Sequence, residues 1–109
     1  MKRTIKVWQS RREETTIEVE FPIYRKHDLM VDEADNVIYY RWDADDVVWH
    51  VQRIERGREL EFEIGKESAK SYGNEGADYV LGRGKYQCTA EEFNKVLAEA
   101  SAFLAQIKP

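Results

Sequence analysis

Residues 89–109 constrain the fold most, because they carry the one helical pattern in a chain whose other periodic segments alternate like strands. Phe93, Val96, Leu97, Ala100, Phe103, Leu104 and Ile107 recur at steps of three and four, so a helix places them on one stripe. Thr89 and Glu92 have the spacing of a capping box, and Glu91 lies four residues before Lys95, the favourable order for a helical ion pair. The pattern predicts a helix over 90–107 whose apolar stripe must be covered by a sheet. Strands are confined to 1–88.

Three hairpins follow from alternation. Ile5 and Val7 alternate with Lys6 and Trp8, and Ile17, Val19, Phe21 and Ile23 with Glu18, Glu20 and Pro22. A turn over Arg12-Glu13-Glu14 would set Val7 opposite Val19, Ile5 opposite Phe21, Lys6 opposite Glu20 and Trp8 opposite Glu18. Pro22, lacking an N–H, predicts an edge or a bulge. A loop over Asp43-Ala44-Asp45-Asp46 would pair Trp42 with Val47, Tyr40 with Trp49 and Ile38 with Val51. A two-residue turn at Arg56-Gly57 would pair Val51 with Phe62 and Trp49 with Ile64, leaving His50 opposite Glu63 and Gln52 opposite Glu61. Leu29-Met30-Val31 reads as the extension of a strand toward a turn near Asp35-Asn36. Residues 65–84, with Gly73, Gly76, Gly82 and Gly84, read as a long loop holding one short strand at Tyr79-Val80-Leu81. A last strand near 85–88 feeds the helix.

The expectation is a single α+β domain: a curved antiparallel meander of five to six strands packed on one C-terminal helix. Its core would contain Ile5, Val7, Ile17, Val19, Phe21, Tyr40, Trp42, Trp49, Val51, Phe62, Ile64, Phe93, Val96, Leu97, Ala100 and Leu104. A length of 109 residues suits one domain with a core of its own. The 42% apolar and 35% charged content is that of a folded chain, against a disordered one. No apolar run reaches the roughly 20 residues that span a bilayer, so no membrane association is expected. The first residues lack the hydrophobic stretch of a secretory leader. The lone Cys88 excludes an internal disulfide and fits a reducing compartment, so the expected location is cytoplasmic.

The net charge of −4 conceals an asymmetry. Residues 1–12 carry Lys2, Arg3, Lys6, Arg11 and Arg12 without an acid; residues 13–35 carry Glu13, Glu14, Glu18, Glu20, Asp28, Asp32, Glu33 and Asp35 against Arg25 and Lys26. A basic arm would seek phosphates. Hairpin pairing gives the plainer account, in which the two runs neutralise each other.

No catalytic, metal or cofactor signature emerges, and none is expected. Cys88 stands before the helix cap, where a dipole lowers a thiol pKa, but a buried structural thiol is the simpler reading. His50 opposite Glu63 has the makings of an oriented base, and equally of a surface pair. Asp43, Asp45 and Asp46 have oxygens for a hard cation, yet aspartates also cap hairpin turns. Gly82-Arg83-Gly84-Lys85 lacks the strand–loop–helix setting of a phosphate loop, and Glu75 within Gly73-Asn74-Glu75-Gly76 would repel a backbone phosphate.

The sheet face away from the helix is then the functional lead. Trp, Tyr and Arg are enriched at binding hot spots. On the expected register Trp8, Tyr24, Tyr39, Arg41 and His50 lie on that face, with Asp43, Asp45 and Asp46 as an electrostatic guide. The expected function is a non-enzymatic protein-binding module, an inhibitor or adaptor acting on a larger, nucleic-acid-processing assembly. Small acidic proteins of phages and mobile elements, such as anti-CRISPR and anti-restriction proteins, offer an analogy of size and charge; the carboxylates of Asp32, Glu33, Asp35, Asp43, Asp45 and Asp46 would mimic nucleic acid. A homodimer through the same face is a related form. The alternatives are a nucleic-acid-binding accessory protein using Lys2, Lys6, Arg11 and Arg12 beside Trp8, and a small enzyme using His50 and Glu63.

Overall fold

The computed structural model describes residues 1–10, 13–29, 35–44, 46–69 and 75–107. In chain order these form β1 (Lys2–Ser10), β2 (Glu13–Glu20), β3 (Ile23–Asp28), β4 (Asp35–Ala44), β5 (Val47–Arg56), β6 (Glu59–Glu67), a short α1 (Ala77–Leu81), a 3-10 turn (Gly84–Tyr86) and α2 (Ala90–Ile107). The fold is α+β and its strands are antiparallel. They make two sheets rather than one meander: a β1–β2 hairpin and a four-stranded sheet in the order β3-β4-β5-β6.

The division occurs at Phe21-Pro22. The run Ile17–Ile23 looks continuous in sequence, but Pro22 cannot donate to a ladder and the strand ends there. The chain bends through these two residues and leaves the hairpin for the larger sheet. Phe21 at the corner is buried and its N–H donates to the Met1 carbonyl at 2.9 Å.

α2 occupies the predicted span. The Glu92 N–H donates to Thr89 Oγ1 at 3.1 Å, half of the expected box. The Glu92 carboxylate reaches instead to Lys26 Nζ on β3, also at 3.1 Å. Phe93, Val96 and Ala100 are buried and pack with Val51 and Phe62 on the sheet, with Leu97, Phe103 and Leu104 alongside.

The other face of the same sheet is covered as well. Val7 and Val19 of the hairpin, with Phe21, Ala69 and Val80 of α1, bury Ile23, Trp42 and Val48. The expected core residues therefore belong to two cores, one on each side of a sheet, and Ile23, Val48, Ala69 and Val80 join them.

The registers explain how. In β4–β5 the pairs are Trp42–Val48, Tyr40–His50 and Ile38–Gln52, one residue from the expected pairing. Asp43 bulges between Trp42 and Ala44, and Ala44 pairs with Val47, so the four-residue loop does not form. A one-residue slip exchanges faces. Tyr39, Arg41, Trp49 and Val51 thus lie toward α2, while Tyr40, Trp42, Val48 and His50 lie toward the hairpin.

Slips by an even number change partners without changing faces. In β1–β2 Val7 pairs with Thr15, Ile5 with Ile17, Lys6 with Thr16 and Trp8 with Glu14, because Glu13 and Glu14 belong to the strand and not to the turn. In β5–β6 Val51 pairs with Ile64, Trp49 with Lys66, His50 with Gly65 and Gln52 with Glu63; Gly57, at φ 61°, opens a Gly57-Arg58 turn.

The expected loop over 65–84 is also revised. β6 runs on to Glu67, and Tyr79-Val80-Leu81 is helix rather than strand. Residues 85–88 contribute no full strand, only a 3-10 turn and a bridge between Gln87 and Arg25. Asp35 and Asn36 belong to β4; Arg11, Arg12, Met30, Val31, Asp32, Glu33, Gly73, Asn74 and Asp45 lie outside the described residues. Among the described residues, no helix is long and apolar enough to cross a membrane.

Candidate functional site

The segment from Glu75 to Gln87 is held between the two sheets. On one side the Trp8 N–H donates to the Glu75 carbonyl at 3.3 Å, and Trp8 and Gly76 form a parallel bridge. On the other, Gln87 bridges Arg25 of β3. Between them Gly82 ends α1 at φ 68°, buried so closely that an added Cβ would lie 2.8 Å from the Tyr24 carbonyl oxygen. Only glycine meets both demands without strain.

This arrangement leaves a cleft of about 760 Å³ between β1 and the 75–86 segment. Rings dominate one side. His27 of β3, Tyr79 of α1 and Tyr86 of the 3-10 turn form an edge-to-face trio, with centroids 6.1 Å apart for His27–Tyr79, 5.9 Å for His27–Tyr86 and 4.9 Å for Tyr79–Tyr86. Trp8 is 38% exposed and lines the cleft from the hairpin. The charged residues Glu67, Glu75, Asp78 and Arg83 are also among those that line the cleft.

Behind this wall lies Arg25, fully buried. Its guanidinium carbon sits 5.1 Å from the Tyr40 ring centroid, 5.2 Å from Trp42 and 4.9 Å from Tyr79. A buried cation boxed by aromatic faces is a cation–π site built within the chain. Tyr40, which also lines the cleft, has its phenol pKa raised, first by burial and then by the neighbouring Tyr79, so it stays protonated at neutral pH as a hydrogen-bond donor.

The residues expected to form one outward face are dispersed. Tyr24, Tyr39 and Arg41 lie on the α2 side: the Tyr24 ring is 5.8 Å from Phe93, and the Arg41 guanidinium carbon is 5.5 Å from the same ring. Burial raises the Tyr39 pKa. Arg41 Nε lies 2.8 Å from the Asp43 carboxylate, so Asp43 is engaged by its own strand. The outer-face placement of Tyr39 and Arg41 is overturned by the one-residue register. Asp46 is exposed, while Asp45 lies outside the described residues. Asp35 and Asp43 stand near opposite ends of β4, about 27 Å apart at the usual strand rise, and Asp32 and Glu33 lie outside the described residues. Of the expected residues among those described, Trp8 alone lines the cleft.

His50 does lie on the face away from α2, and its Nε2 is 3.8 Å from Glu63 Oε1. Its ring folds over Gly65, where an added Cβ would come within 2.4 Å. Cys88 sits elsewhere, among the side chains packed on the α2 core, and donates to the Thr89 carbonyl at 3.5 Å. Burial, with Glu92 adding to it, pushes its thiol up to about 11, the direction opposite to activation. His50 and Glu63 are therefore neighbours, and Cys88 belongs to a different site.

The basic residues of β1 are paired along the hairpin. Lys6 Nζ lies 3.9 Å from Glu14, Lys2 is opposite Glu20, and the terminal ammonium lies 3.4 Å from Glu20. Among the described residues no three His, Cys, Asp or Glu side chains assemble as a metal set.

Sequence reasoning missed His27, Tyr79, Tyr86, Glu67 and Asp78. The available signal was the glycine-rich stretch itself: Tyr79 and Tyr86 flank Gly82 and Gly84, both at positive φ, the mark of a segment folded back on itself. No protein-family model, curated protein or solved structure matches the chain.

Proposed function

We propose that the chain is a non-enzymatic protein-binding module whose contact site is the cleft between β1 and residues 75–86, acting as an inhibitor or adaptor of a larger assembly. The observation that carries the reading is Trp8: a large aromatic, 38% exposed, at the edge of the cleft and opposite a second group of rings. An exposed Trp beside half-buried Tyr side chains is the composition of a binding hot spot, here with the exposed, charged residues Glu75, Asp78 and Arg83 around it. The reading moves the contact surface from the expected sheet face to a cleft that shares only Trp8 with it. The nucleic-acid alternative loses support because Lys2 and Lys6 face carboxylates of β2.

The test is affinity capture from native lysate with three immobilised baits: wild type, Trp8→Ala, and Lys95→Ala on the exposed side of α2. The reading expects a protein retained by wild type and by Lys95→Ala and lost from Trp8→Ala. Equal retention by Trp8→Ala, with the fold intact by circular dichroism, refutes the cleft as the contact site.

A further inference from the structure

We propose that the free edge of β6 is a second contact surface, where a partner's extended segment of alternating basic and branched apolar residues adds an antiparallel strand to the four-stranded sheet. β1, β2, β3 and β6 stand at sheet edges. The 75–87 segment bridges two of them, β1 through Trp8–Gly76 and β3 through Arg25–Gln87. On β2 two glutamates are engaged: Glu14 lies 3.9 Å from Lys6 Nζ, and Glu20 3.4 Å from the terminal ammonium. Among the described residues β6 pairs with β5 alone. Beyond it the Ala69 N–H donates to the Asp46 carbonyl at 3.4 Å, so the chain leaves toward the β4–β5 turn rather than along the β6 edge. None of residues 59–64 lines the cleft.

The nine residues of β6 hold no proline and its pairing no bulge, so charge alone guards this edge. Arg56–Glu59 closes a two-residue hairpin and is therefore a hydrogen-bonded pair; such pairs alternate along the ladder. Leu60, Phe62 and Ile64 thus direct their N–H and C=O groups away from β5, while their side chains pack on the α2 side. Glu61 and Glu63 lie on the opposite face, both exposed. Glu61 stands opposite Ile54 and Glu63 opposite Gln52, so no cation faces either across the ladder; His50 Nε2 lies 3.8 Å from Glu63. Residues opposite each other in a ladder share a face. Lys or Arg of an added strand then meets Glu61 and Glu63, and Val or Ile extends the apolar row of Leu60, Phe62 and Ile64. A second copy of this chain fits badly. Glu59, Glu61, Glu63 and Glu67 fill four of the five positions on that face, so two β6 strands related by a two-fold axis would set glutamate against glutamate.

The experiment titrates the isotopically labelled full chain with the acetylated, amidated peptide Thr-Val-Lys-Val-Lys-Val-Thr, followed by amide chemical shifts and hydrogen exchange. The proposal expects saturable shifts and slowed exchange at the Leu60, Phe62 and Ile64 amides. The Glu61 and Glu63 amides, already bonded to β5, should keep their exchange rates. N-methylation of the valines removes the N–H groups that face β6 and should abolish binding; N-methylation of the lysines, whose N–H groups face outward, should not. A Glu61→Gln, Glu63→Gln double variant should bind about two- to thirtyfold more weakly, as the loss of two cross-strand charge pairs implies. Trp8→Ala should bind like wild type, because the edge lies apart from the cleft. No saturable shift, equal binding of the valine-methylated peptide, or shifts at the cleft instead overturns the proposal. Concentration-dependent shifts at the same amides without peptide would put a second copy on the edge and overturn it as well.

Discussion

Gly82→Ala is the perturbation that tests how the cleft is built, and Gly57→Ala is its internal control. Both glycines have positive φ, 68° at Gly82 and 61° at Gly57. An L-residue there costs about 1–2 kcal/mol in backbone strain, and the stiffer unfolded chain returns about 0.4–1 kcal/mol. Gly57, with nothing within 4 Å of an added Cβ, should lose only the balance, about 0–1.6 kcal/mol. At Gly82 the added carbon lies 2.8 Å from the Tyr24 carbonyl oxygen and 3.4 Å from that of Tyr86, both backbone atoms. Relieving that overlap requires α1 and β3 to separate by some tenths of an ångström, which adds about 1–3 kcal/mol by analogy with overpacked cores. Urea unfolding followed by circular dichroism reads the difference. At an m-value of about 1–3 kcal/mol/M, each extra kcal/mol lowers the midpoint by about 0.3–1 M. Gly82→Ala should unfold at clearly lower urea than Gly57→Ala. Equal midpoints would mean that the 75–86 segment does not pack on β3 as described, and the cleft would lose its wall.

Three further outcomes follow from the α2 side. Phe93→Ala, at a residue only 1% exposed, should cost about 3–5 kcal/mol in urea unfolding, and a loss below about 1 kcal/mol would contradict the buried helix stripe. Thr89→Ala removes the hydroxyl that accepts the Glu92 N–H and should cost about 0.5–2 kcal/mol, with Thr89→Ser recovering most of it. The Cys88 thiol, held up near 11 against an ordinary value of 9.0, should alkylate slowly at pH 8 and faster only toward pH 11. Because the folded state holds this proton more tightly than the unfolded state, stability from Cys88 is full below about 9 and falls as pH rises toward 11. Cys88→Ala should flatten that part of the stability profile, and an unchanged slope would contradict the burial of the thiol.

The helix was legible to its ends because a capped, periodic, 18-residue segment leaves little choice. The faces of the sheet were not, for a physical reason. Val37-Ile38-Tyr39-Tyr40-Arg41-Trp42 and Val47-Val48-Trp49 carry large apolar groups at both parities, as strands covered on both sides do. Alternation then cannot choose a register, and the bulge at Asp43 decides it. The β1–β2 and β5–β6 pairings tolerate the same error because their slips are even and each face keeps its residues.

The cleft was harder to foresee. α1 has five residues, too few to show a helical period, and its Tyr79 meets His27 and Tyr86 only after the chain has doubled back at Gly82. Arg25 gives no sign in sequence of being a core residue, since the Tyr40, Trp42 and Tyr79 rings around it come from distant segments. Trp8 was legible as an exposed aromatic on an amphipathic strand, and it is the one expected contact residue that the fold brings to the cleft.

The most direct measurement of the central claim is site-specific photocrosslinking from that position. A benzophenone amino acid placed at position 8, and separately at position 95 on the exposed side of α2, would be irradiated in native lysate. The account predicts a discrete protein adduct from position 8 that is absent from position 95. Adducts from position 95 with none from position 8 would put the contact surface on the helix and contradict the cleft.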